Sequence, residues 1–136
     1  MIGILIVAHG TLGESLIQCT THVLGERPPL LAALDVTAQT QPTMLDEGRS
    51  LIAELNQGEG VLLLSDVYGA TPCNTMCRLL NPGQVEGIAG VNLPMLMRAI
   101  TYRSESLHEL IIKAVAGGQE GVLYITPELC DATTEC

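Results

Sequence analysis

The sequence has no Trp and no Phe, and only three Tyr, which excludes a core built on large aromatic rings. Packing must come from Leu, Ile, Val, Ala and Met, in keeping with 47% hydrophobic and 15% charged residues. Basic residues are also scarce, six against fifteen acidic ones, for a net charge of −9. That sign repels a phosphate backbone, and with so few rings for base stacking it argues against nucleic-acid binding. Long apolar runs are missing too. The opening Met1-Ile2-Gly3-Ile4-Leu5-Ile6-Val7 lacks a basic leader and reaches His9 and Gly10 well short of a membrane span, so it reads as a buried strand of a cytoplasmic protein with no membrane insertion. There is no Cys-x-x-Cys pair. Cys19, Cys73, Cys77, Cys130 and Cys136 are odd in number and lack zinc-site spacing, which makes them free thiols in a reducing compartment, with no metal or cofactor expected. Cys73 and Cys77 stand four apart and share a helix face as packed thiols, without an assigned role.

The 136 residues suit a single domain, 1–136, whose tail from about 127 has weak structural signals and is expected to fray. Short continuous apolar runs alternate with helical patterns, as a parallel sheet covered on both faces requires. The expected strands are 2–8, 30–35, 60–65 and 85–89, with 121–126 as a further one. The expected helices are 13–24, 43–55, one beginning at Thr71, 94–102 and 106–116. Thr71 reads as an N-cap with Pro72 at the first helical position, and Gly117-Gly118 reads as the stop of the last helix. The fold class is α/β, an open, doubly wound, mainly parallel sheet of order 2-1-3-4.

Such sheets bind ligands beyond the carboxyl ends of their strands, where the winding reverses. In that order strands one and three are neighbours, so His9 at the end of the first meets Asp66 at the end of the third. A carboxylate that accepts from Nδ1–H fixes the ring tautomer and frees the Nε2 lone pair to attack an electrophile. The helix starting at Thr71 offers N–H groups and a hydroxyl to an anion, and Gly10 and Gly69 allow close backbone approach. Phosphoryl transfer through His9 suits this set better than hydrolysis.

Three segments, Val7-Ala8-His9-Gly10, Asp66-Val67-Tyr68-Gly69-Ala70-Thr71-Pro72-Cys73-Asn74 and Gly90-Val91-Asn92-Leu93-Pro94-Met95-Leu96, resemble the mannose-family IIA components of the bacterial phosphoenolpyruvate-dependent sugar phosphotransferase system. The resemblance spans nearly the whole chain. It implies a phosphotransferase with a phosphohistidine intermediate: His9 takes a phosphoryl group from the phosphocarrier HPr and passes it to a histidine of a IIB component, with no cofactor. It also implies that Asp66 orients His9, that Thr71 helps hold the phosphoryl group, and that the protein is a homodimer exchanging the strand 121–126. Tyr68 and Ala70 stand where the family often has another aromatic and a Gly. His22 and His108 match no active-site position of the family.

Three alternatives stand beside this reading. A sirohydrochlorin-type metallochelatase also begins with a strand ending in His-Gly, but it needs further metal-facing ligands near that His. The IIA-like phosphotransferase subunit serving dihydroxyacetone kinase uses the same chemistry for another acceptor. A regulatory IIA protein reports phosphorylation state without transport. With no IIB segment expected in a chain of this length, the phosphoryl acceptor is expected on another polypeptide.

Overall fold

A computed structural model describes residues 1–37 and 41–132. Four strands, β1 (Gly3–His9), β2 (Leu31–Val36), β3 (Val61–Ser65) and β4 (Val85–Ala89), form one sheet in the order β2-β1-β3-β4, and every pairing is parallel. Among the described residues six helices accompany them: α1 (Leu12–Leu24), α2 (Gln41–Leu55), α3 (Thr71–Cys77), α4 (Leu93–Thr101), α5 (Leu107–Glu120) and α6 (Pro127–Ala132).

Side chains alternate across a strand, and β1 shows the consequence directly. Ile4, Ile6 and Ala8 join a core with Ile17 of α1, Leu96 of α4 and Leu110 of α5. Leu5 and Val7 join a second core with Met44 of α2 and Met76 of α3. Because both faces are covered, β1 and β3 read as unbroken apolar runs, and β3 is buried from end to end. The helix after β1 lies on one face and the helix after β3 on the other. The winding therefore reverses between these two neighbouring strands.

The expected order and parallel sheet are observed, with three local differences. First, Thr71 is not the N-cap of α3. Ala70 holds that position in an extended conformation, Thr71 is the first helical residue, and no side-chain hydrogen bond caps the helix. Second, α5 does not stop at Gly117-Gly118 but runs through both to Glu120. These glycines permit close helix contact: a Cβ on Gly117 would lie 2.6 Å from the Arg98 Cβ, and one on Gly118 would lie 2.8 Å from the Met95 Cε. Third, residues 122–126 form no strand among the described residues of this chain, and Val122, Leu123, Tyr124 and Ile125 are exposed. Residues 127–132 form α6, and Cys136 lies outside the described residues.

Arg103 locks the amino-terminal end of the sheet. Only 4% exposed, its guanidinium donates to three backbone carbonyls, those of Ile2 (3.0 Å), Pro29 (2.6 Å) and Leu30 (2.6 Å). In return the Ile2 N–H donates to the Arg103 carbonyl at 2.9 Å. Burial pulls the Arg103 guanidinium down to about 10, which leaves it charged at neutral pH. This clamp joins the starts of β1 and β2 to the α4–α5 connection, at the end of the sheet opposite the candidate site.

Candidate functional site

The register sets the site. Val7 pairs with Ser65, so His9, the last residue of β1, and Asp66, the first after β3, emerge together at the carboxyl edge of the sheet. The Nδ1 of His9 lies 2.6 Å from Oδ2 of Asp66. The same Oδ2 accepts the His9 main-chain N–H at 3.1 Å, while Oδ1 accepts the Val67 N–H at 2.9 Å. Burial alone pushes the Asp66 carboxyl up. The hydrogen bonds from the His9 ring, the His9 N–H and the Val67 N–H outweigh it and hold the carboxyl below its ordinary range.

The two side chains differ sharply in access, with His9 55% exposed and Asp66 13%. An ionised Asp66 accepts from Nδ1–H, and in a neutral ring that tautomer leaves the Nε2 lone pair free. The result is an oriented nitrogen nucleophile on an exposed ring. Gly10 and Gly69, in the loops after β1 and β3, have φ of +52° and +87°. A Cβ would meet no protein atom within 4 Å at either, and their left-handed backbone turns the loops at the edge of the site.

Sequence reasoning brought His9, Asp66 and Thr71 to this edge, and the structure joins the first two directly. Thr71 begins α3 five residues after Asp66, and among the described residues no hydrogen bond links it to either. His22 lies in the last turn of α1 and His108 near the start of α5, both exposed and both outside the site. His108 lines a cavity of about 370 Å³ with Gly83, Glu86, Ser106, Leu107 and Ile111. That cavity adjoins the start of β4, so it belongs to the opposite end of the sheet from His9.

Two contributors carry no signal in the sequence. The N–H groups of His9 and Val67 hold the carboxylate, and a backbone group looks the same under any side chain. Asn92, by contrast, has a legible role as a helix cap. Its Oδ1 accepts the Met95 N–H at 2.9 Å, and its Nδ2 also donates to the Gly118 carbonyl at 3.0 Å, pinning α4 to α5. Among the described residues no group of three or more His, Cys, Asp or Glu is placed to hold a metal ion, and no helix is long and apolar enough to cross a membrane.

Comparison with known proteins places this geometry in context. Residues 3–116 match the family described as PTS system fructose IIA component, PTS being the phosphotransferase system. The chain is 34% identical over 124 residues to the PTS system mannose-specific EIIAB component of Escherichia coli (strain K12), covering 89% of this chain and 38% of that protein. It thus spans well under half the length of that relative. It is 26% identical over 122 residues to the PTS system fructose-specific EIIA component of Bacillus subtilis (strain 168), covering 88% of this chain and 84% of that one. Among solved structures, phosphotransferase system component EIIA from Streptococcus agalactiae superposes with a TM-score of 0.81 at 23% identity, over 91% of this chain and 97% of that one. The mannose/sorbose specific IIA subunit from Enterococcus faecalis gives 0.78 at 24% identity, over 92% and 95%. At these identities the two structures speak for a shared fold. Because the family match runs from β1 into α5 and takes in every strand of the sheet, the chain belongs to the mannose-type IIA family of the phosphotransferase system.

Proposed function

We propose that His9 carries a phosphoryl group, received from the phosphohistidine of HPr and passed to a histidine of a IIB component. The observation that carries this reading is the 2.6 Å contact between Nδ1 of His9 and Asp66, on a ring that is otherwise open to solvent. In the forward step the Nε2 lone pair attacks phosphorus, the bond from phosphorus to the donor nitrogen breaks, and the donor imidazole leaves with its electron pair. The attacking ring gains positive charge as the new bond forms. Asp66 stabilises that charge without having to take the Nδ1 proton. A phosphoryl group on nitrogen remains ready for transfer, so the same geometry run in reverse delivers it to the next histidine.

Thr71 supplies a hydroxyl at the edge where the phosphoryl oxygens would lie. With seven residues, α3 adds at most its first-turn N–H groups, not a long aligned dipole. The partners are HPr, a IIB component and a second copy of the chain. Exchange of residues 122–126 in a homodimer is supported by their exposed apolar side chains and by β4 at the open edge of the sheet. The specificities named for the relatives, mannose and fructose, support sugar uptake as the setting, with this protein working on the cytoplasmic side.

The test starts from purified phospho-HPr and locates phosphate on this protein by mass spectrometry under non-acidic conditions. Phosphate on the peptide containing His9 is the expected result. Labelling at another residue, or none on folded protein, would overturn the assignment.

A further inference from the structure

Cys73 and Cys77 take no part in the chemistry at His9, yet α3 brings them together. They stand four residues, about one turn, apart on a helix of seven residues. Cys73 is 2% exposed and packs in the core with Leu5 and Val7, whereas Cys77 is exposed. One thiol is open to a reagent in solution, and the other is buried about one turn away on the same helix. Cys19 and Cys130 are free and exposed.

We propose that Cys73 and Cys77 form a modification site for low-molecular-weight disulfides of the glutathione class, closing into an internal disulfide that slows phosphoryl acceptance at His9. The Cys77 thiolate, its proton given to water, attacks one sulfur of the small disulfide and releases the first small thiolate. Cys73 then attacks the Cys77 sulfur of the mixed disulfide and releases the second. Two protein thiols are oxidised, one small disulfide is reduced to two small thiols, and the two protons end on the released thiols.

The consequence for His9 follows from helix geometry and rests on the function proposed above. Residues four apart on a helix have Cβ atoms about 5–6 Å apart, whereas a disulfide needs about 3.8 Å. Closing the bond therefore requires the backbone of α3 to move. Its first residue, Thr71, continues directly from the loop that begins with Asp66, so the movement reaches the carboxylate that orients His9. Burial and the neighbouring Cys73 push the Cys77 thiol up, so exchange quickens as pH rises above neutral.

The experiment treats the full chain with oxidised glutathione and maps its tryptic peptides. Cleavage after Arg49 and Arg78 leaves both cysteines in peptide 50–78, which contains no other cysteine. Oxidation should remove two hydrogens from this peptide and lower the initial rate of phosphoryl acceptance about tenfold, both reversed by dithiothreitol. Cys77→Ser should accept phosphate at the reduced wild-type rate and ignore the oxidant. Glutathione retained on Cys77, cross-links through Cys19 or Cys130 without the internal loop, or an internal disulfide with an unchanged rate would each overturn the proposal. If reduced protein accepts no phosphate at all, the assignment of His9 fails, while the peptide map still decides whether the disulfide forms.

Discussion

A single oxygen of Asp66, Oδ2, holds His9 at two points, 2.6 Å from the ring Nδ1 and 3.1 Å from the main-chain N–H. The ring and its own backbone are thus fixed by one carboxylate, which the Val67 N–H steadies from the other side at 2.9 Å. An exposed imidazole would otherwise sample several rotamers. Here orientation comes from a residue that is itself mostly buried, and this combination of access and restraint underlies the predictions at the site.

His9→Ala should abolish phosphoryl acceptance from phospho-HPr and leave thermal unfolding within a few degrees of wild type, because the side chain is more than half exposed. His22→Ala and His108→Ala should keep wild-type rates. Rapid-quench labelling of the three folded variants checks this, and loss of labelling in either control would move the site away from His9.

Asp66→Asn should slow acceptance by at least about tenfold, since an amide neither enforces the Nδ1–H tautomer nor neutralises the charged ring. It also has one oxygen where three N–H groups call for two. The pH dependence follows from the lowered Asp66 value: its contribution to stability is complete above the ordinary value of 3.8 and is lost as pH falls through the lower folded-state value. Wild type should therefore lose its stability advantage over Asp66→Asn on acidification. Urea unfolding at stepped pH measures this, and a constant gap between the two proteins would contradict it.

Thr71→Ala should reduce the transfer rate less than His9→Ala does, because only one hydroxyl is removed. Its stability should stay within about 0.5 kcal/mol of wild type, in contrast to the loss of about 1 kcal/mol usual for a Thr N-cap, since Ala70 occupies the cap and no side-chain hydrogen bond is lost there. Calorimetry separates the two cases.

Arg103→Met should destabilise the fold by about 2–4 kcal/mol, because the carbonyls of Ile2, Pro29 and Leu30 lose their guanidinium donors at a largely buried position. Folded Arg103→Met should still accept phosphate at close to the wild-type rate, the clamp being at the far end of the sheet. Denaturant unfolding together with the labelling assay tests both parts.

Ile125→Asp should shift the protein toward monomer in sedimentation velocity, because a charge would enter the apolar segment 122–126 that the homodimer is proposed to bury. Acceptance at His9 is expected to survive in the folded monomer, as Asp66, which orients His9, belongs to the same chain. An unchanged oligomeric state would remove this segment from the interface.

The alternation of apolar runs with helical patterns determined the sheet, its parallel sense and its double covering, because strands buried on both faces have no solvent side to interrupt them with polar residues. His9, Asp66 and the glycines after the strands were legible for a related reason: a polar residue ending an apolar strand marks the edge where ligands gather. Tertiary structure decided the rest. Gly117 and Gly118 look like a helix stop in one dimension, and only the approach of Arg98 and Met95 shows why a continuing helix needs hydrogen atoms there. Ala70 took the cap position expected of Thr71, and Thr71 the first helical position expected of Pro72, because capping depends on backbone angles, which neighbouring residue types bias but do not set. Arg103 had no visible purpose until the carbonyls of Ile2, Pro29 and Leu30 converged on it across some seventy to a hundred positions of chain, a convergence that only the folded path of the backbone creates.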